Sequence, residues 1–133
     1  MNFRLSFYDP LNIEIIQLGY FQQDKVIEEF DKIPWKEHLN KMKTANDDEI
    51  KYSPSFEIEN KQTKNILILS AMDDTEWYIY YWRPRITKKF FGFFRYIKND
   101  FMTDVTGQTE NDARACLNAL INNDLMFLEK KIK

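Results

Sequence analysis

The chain has 133 residues, with 19 Lys and Arg against 21 Asp and Glu and a net charge of −2, so it lacks the global positive field of a dedicated nucleic-acid binder. Hydrophobic residues make up 44% and aromatics 16%, enough for one domain spanning residues 1–133 to close a core built largely from rings. Three glycines and four prolines exclude a collagen-like or low-complexity chain. The single cysteine, Cys116, excludes an internal disulfide or a cysteine metal cluster and fits a reducing compartment.

The first residues contain no apolar run of signal-peptide length, and no later stretch approaches the roughly 18 apolar residues of a membrane span. A cytoplasmic protein without a membrane partner is the expectation. Phe3, Leu5 and Phe7 alternate with polar residues and Tyr8, the period of two of a half-buried strand. Asp9-Pro10-Leu11-Asn12 carries turn chemistry. Ile13 to Phe21 reads as a second strand, because Ile13, Ile15 and Ile16 are β-branched; a helix capped by Asp9 with Pro10 in its first turn is the rival.

From Gln23 the period changes. Val26, Ile27, Phe30 and Ile33 recur at helical spacing against a charged face, and Pro34 stops that helix. Pro34 also suits the first turn of a second helix with Trp35, Leu39 and Met42 on one side. Lys43 to Ile50 is a polar loop.

Phe56 and Ile58 alternate with Glu57 and Glu59 in a third strand. Lys64 to Arg83 then holds two β-rich runs, Asn65–Ser70 and Glu76–Arg83, joined by an acidic turn at Met72–Thr75. This is a hairpin whose strands are apolar on both faces, the mark of positions inside a sheet. Pro84 is expected to end the second run. Phe90 to Ile97 reads as a sixth strand whose end is left open between Lys98 and Val105, with Gly92 a candidate bulge. Thr109 and Asp112 have the spacing of a capping box, and the stripe Ala113, Leu117, Leu120, Ile121, Leu125, Leu128, Ile132 predicts one helix of about five turns. The order ββααββββα, with short turns between paired strands, predicts an α+β domain: a curved antiparallel sheet of about five to six strands with helices on one face.

No catalytic, cofactor or metal motif stands out. The lone His38 has only the adjacent Glu37 for company, which faces another way on a helix, so a packed or surface histidine is expected in preference to a ligand. Cys116 lies beside the last apolar stripe, as a small core residue does. The carboxylates Asp47, Asp48 and Glu49, and again Asp73, Asp74 and Glu76, lack the ligand spacing of a calcium loop and read as solvated turns or as contacts for a basic partner. Residues 83–98 mix six cations with five rings, a composition that single-strand nucleic-acid platforms use. Phenylalanines at that density more often pack, so nucleic acid is not the expected partner.

The strand after the acidic turn is the most informative. Trp77, Ile79 and Tyr81 share one face, and Tyr78, Tyr80 and Trp82 the other. If Ile79 marks the helix-covered side, Tyr78, Tyr80 and Trp82 line the opposite side near Glu57 and Glu59. An aromatic and acidic open face suits a protein interface, with Asp73 and Asp74 at its end.

The run Ser53-Pro54-Ser55-Phe56-Glu57-Ile58-Glu59-Asn60 is followed by Leu67-Ile68-Leu69-Ser70, the aromatic strand and Thr106-Gly107-Gln108-Thr109. This pattern resembles small bacterial proteins that act as immunity partners of polymorphic toxins. The resemblance implies a cytoplasmic, non-enzymatic inhibitor that binds a cognate toxin domain and blocks its active site. The residues leave two other readings open: a ligand pocket or enzyme built between sheet and helices, and a homo-oligomer that buries the aromatic face on itself.

Overall fold

A computed structural model describes residues 2–89 and 94–133, with side chains described outside residues 85–101. The elements are β1 (Asn2–Tyr8), β2 (Ile16–Gln22), α1 (Gln23–Lys32), α2 (Trp35–Thr44), β3 (Ser55–Asn60), β4 (Ile66–Ala71), β5 (Trp77–Lys89), β6 (Phe94–Gln108), α3 (Glu110–Ile121) and α4 (Leu125–Lys131). A 3-10 turn at Asp47–Glu49 interrupts the loop before β3. The strands form one six-stranded antiparallel sheet in the order β2-β1-β3-β4-β5-β6. The predicted α+β class and the interior positions of β4 and β5 hold.

Alternation along the strands decides the layers. Phe3, Leu5, Phe56, Ile58, Leu67, Leu69, Trp77, Ile79 and Tyr81 lie on one face, and Val26 and Phe30 of α1, Leu39 of α2, Leu117 and Leu120 of α3 and Leu128 of α4 join them in one buried cluster. Phe30 is the hinge of this packing: its ring meets Trp35 at 5.3 Å, Phe56 edge-on at 5.4 Å and Trp77 at 5.9 Å. Each fully buried large apolar side chain contributes about 1.5–3 kcal/mol.

Four expectations are corrected. The second strand begins at Ile16, and Ile13 and Ile15 precede it as exposed residues. Pro84 does not end β5; it sits at a register shift between Arg83 and Arg85, beyond the last β4 pair at Trp82, where its missing N–H leaves no β4 acceptor unsatisfied. The sixth strand runs to Gln108, past the stretch from Lys98 to Val105 in which the sequence leaves its end open, while the expected bulge at Gly92 lies outside the described residues. The single last helix is two. Asn123 takes a left-handed conformation (φ 59°) that ends α3, and the Asp124 carboxylate accepts from the Phe127 N–H to start α4.

The two C-terminal helices are fastened to the sheet. Arg83, buried and stacked over the Tyr81 ring at 4.4 Å, forms an ion pair with Glu129 at 2.8 Å and donates to Thr103 Oγ1 at 3.0 Å. Thr103 Oγ1 in turn donates to the Ile132 carbonyl at 2.9 Å. At the other end, Thr109 accepts from the Asp112 N–H, and the Asp112 carboxylate accepts from Thr109, completing the predicted capping box. Among the described residues no helix is long and apolar enough to cross a membrane.

Candidate functional site

The face without helices is built from the alternate residues of the same strands. In register across it stand Arg4, Glu59, Ile66, Trp82 and Met102, then Ser6, Glu57, Ile68, Tyr80 and Asp104. Tyr78, Tyr80 and Trp82 are half-buried there, as Ile79 on the covered side requires. Glu57 and Glu59 share the face with them but lie two strands away, with Ile66 and Ile68 between.

The acidic half of this face is not free charge. The Arg4 guanidinium forks between Glu57 Oε2 at 2.8 Å and Glu59 Oε1 at 2.9 Å, and donates a third bond to Ser6 Oγ at 2.9 Å. Lys61 approaches Glu59 at 3.5 Å, and the Tyr8 hydroxyl donates to Glu57 Oε1 at 2.6 Å. Burial works against ionisation of Glu59, but its bond to Arg4 and the charges of Arg4 and Lys61 outweigh it and hold the carboxyl below the usual range. Burial likewise works against the charged form of Arg4, and the two glutamates more than offset it, so the guanidinium is bound more firmly than in water. An ion cluster of this kind gives the β1–β3 half of the face a fixed shape.

The other half is concave. Tyr8, Tyr52, Tyr80 and Trp82 wall a hollow of about 330 Å³, with Ile68, Met72 and Met102 among its apolar surfaces and Ser55 and Ser70 in its floor. The two serine hydroxyls share a 2.6 Å hydrogen bond and are buried, so the floor is satisfied. Tyr8 and Tyr52 pack edge to face at 5.0 Å, and the Tyr52 hydroxyl donates to the Ile13 carbonyl at 2.9 Å, which fixes that wall. Burial, the neighbouring Asp104 and Tyr78 raise the Tyr80 hydroxyl above its ordinary value, so it stays a donor at neutral pH. Tyr8 and Tyr52 were not singled out in the sequence. Strand parity places Tyr8 with Arg4 and Ser6, but nothing local marks Tyr52.

Asp73 and Asp74 stand at the β4–β5 turn and are exposed. The Asp73 carboxylate accepts from the Thr75 and Glu76 N–H groups and from the Thr75 hydroxyl, which lower its pKa and make it the organiser of the turn. Asp47–Glu49 is likewise organised by Asn46 and Glu49 as a capping box.

His38 is buried against the Phe7 ring at 4.7 Å, and its Nδ1, like Trp35 Nε1, has no hydrogen-bond partner among the described residues. Burial lowers its pKa. It borders a second hollow of about 290 Å³ between the β1–β2 edge and α1–α2, the place where a pocket between sheet and helices would sit. Cys116 is fully buried, and desolvation pushes its thiol up to about 11. Comparison with models of known protein families, with curated proteins and with solved structures finds no match.

Proposed function

We propose that this is a cytoplasmic, non-enzymatic protein-binding module whose partner docks on the open face of the sheet. The observation that carries the reading is the convergence of Tyr8, Tyr52, Tyr80 and Trp82 around one hollow on the face that the helices leave uncovered. Rings in a concave, half-desolvated setting are the anchors on which interface energy concentrates, because they bring large area at low entropic cost and keep a polar tip. The resemblance read in the sequence supplies the partner's class: a bacterial toxin domain, inhibited by occlusion of its active site.

Within this reading the two halves of the face have different tasks. Glu57 and Glu59, held by Arg4, offer hydrogen-bond acceptors in a set geometry. Asp73, Asp74 and Asp104 offer charge that steers a basic partner and so act on association rate.

The test is binding of the purified protein to the products of neighbouring genes, compared with a Tyr80→Ala, Trp82→Ala double variant of unchanged circular dichroism. A loss of affinity of about 100-fold or more, roughly 2.7 kcal/mol, is expected. Absence of any such partner, or equal binding by the folded double variant, overturns the reading.

A further inference from the structure

The hollow on the open face is one-sided in its chemistry. Six hydroxyls line it, those of Tyr8, Tyr52, Ser53, Ser55, Ser70 and Tyr80, and a hydroxyl has a single hydrogen to donate. Ser55 donates to the Ser53 carbonyl at 2.8 Å, so in the 2.6 Å bond between the two floor hydroxyls Ser70 is the donor. Tyr8 donates to Glu57, Tyr52 to the Ile13 carbonyl, and Ser53 to the Met72 sulfur at 3.3 Å. Five of the six hydroxyls have thus committed their hydrogen to the protein itself and keep only oxygen lone pairs for a guest. The sixth, of Tyr80, has no hydrogen-bond partner among the described residues and is free to turn its oxygen to one.

The charges around the hollow lean the same way. Among the described residues none that lines it is charged, and Arg4, on the same face, is held between Glu57 and Glu59. Asp104 stands opposite Tyr80 in register, is exposed, and forms no ion pair among the described residues. Burial first, and then the charge of Asp104, keeps the proton on the Tyr80 hydroxyl. Three tyrosine rings and the Trp82 indole add the electron-rich faces that attract a cation.

We propose that the hollow receives an arginine side chain of the docking partner, with the guanidinium among the four rings. The inference rests on the reading that a protein partner binds the open face, and it names the group that partner presents. A guanidinium carries five N–H donors and no acceptor, and its flat surface stacks on rings. It therefore meets the lone pairs and the ring faces together. A carboxylate or phosphate brings only acceptors to a surface that already holds them, beside the charge of Asp104. An aliphatic side chain fills the space but leaves the lone pairs and Asp104 without a counterpart.

NMR of the tryptophan indole N–H groups of the full chain tests this without the partner. The probe is the capped tripeptide glycyl-arginyl-glycine, and its citrulline counterpart is a neutral control of the same shape. The arginine peptide is expected to shift the Trp82 signal, to leave those of Trp35 and Trp77 in place, and to bind at least about fivefold tighter than the citrulline peptide. In Asp104→Asn, on the exposed edge strand, that ratio should shrink. Equal binding of the two peptides overturns the proposal, as does a Trp82 signal unmoved up to about 20 mM arginine peptide. The docking reading stands or falls separately: if the folded Tyr80→Ala, Trp82→Ala variant loses a protein partner while the two peptides bind alike, docking is upheld and the arginine alone is struck.

Discussion

The hydroxyl of Tyr8 donates to Glu57 Oε1 at 2.6 Å and so ties the ion cluster on β1 and β3 to the wall of the aromatic hollow. Burial and the negative charge of Glu57 both raise the Tyr8 pKa, which keeps the donor in place across the whole neutral range. Tyr8→Phe keeps the ring and loses the bond to a charged acceptor. An unfolding free energy lower by about 1–2 kcal/mol is expected in urea titration, with the slope of the transition unchanged.

Acid should weaken the fold through the same cluster. The Glu59 carboxyl is held below its ordinary range in the folded chain, as are Asp73 and Asp112. A depressed folded pKa gives stability that is complete above the unfolded value, near 4 for carboxylates, and is lost as pH falls through the folded value. Urea midpoints measured from pH 7 down to about 2 should fall mainly below pH 4–5. In Glu59→Gln the fall should be shallower.

Phe30 is the costliest single ring to remove, since it touches both helices' aromatic contacts and the sheet. Phe30→Ala should destabilise by about 3–5 kcal/mol, a large part of the roughly 5–15 kcal/mol that holds a domain of this size. Trp82→Ala, cut from a half-buried position on the open face, should cost clearly less in the same titration. Equal losses would mean that Trp82 is a core residue.

Thr109→Ala removes the acceptor for the Asp112 N–H at the start of α3. About 1 kcal/mol is expected from the lost cap. Thr109→Ser should restore most of it in thermal unfolding.

Cys116 should be inert in the folded protein. It is fully buried and desolvation pushes its thiol up to about 11, so Ellman's reagent at pH 8 should label it only at the rate of unfolding. Because the unfolded thiol ionises near 8.5, stability should also decline between that pH and about 11, where the unfolded chain has lost a proton that the folded chain keeps. In Cys116→Ala that part of the alkaline decline disappears.

Strand parity was the most legible feature of the chain. One assumption, that Ile79 faces the helices, correctly set Tyr78, Tyr80 and Trp82 on the opposite side. The break between α3 and α4 was hidden because Ile121, Leu125, Leu128 and Ile132 keep helical spacing across it; the signal was Asn122-Asn123-Asp124, residues that tolerate left-handed backbone and cap a new helix. The length of β5 was hidden by Pro84, whose effect depends on whether a neighbouring strand needs its N–H. The compensation of Glu57 and Glu59 could not be read locally at all, since Arg4 lies 53 and 55 residues away in sequence. The hollow was only half visible for the same reason: Tyr8 and Tyr52 join Tyr80 and Trp82 through pairing between distant strands.

β1 precedes the other strands in the chain yet ends between two neighbours, β2 and β3. The hairpin with β2 can form early, but the second flank of β1 waits until Ser55–Asn60 has left the exit tunnel. At about 5–20 residues per second, that delay is on the order of seconds. During it Phe3, Leu5 and Phe7 have only β2, α1 and α2 beside them and lack β3 and the two C-terminal helices. Nascent chains stalled before Ser55 are therefore where a holding chaperone should bind, and chains stalled beyond Asn60 are where its hold should weaken.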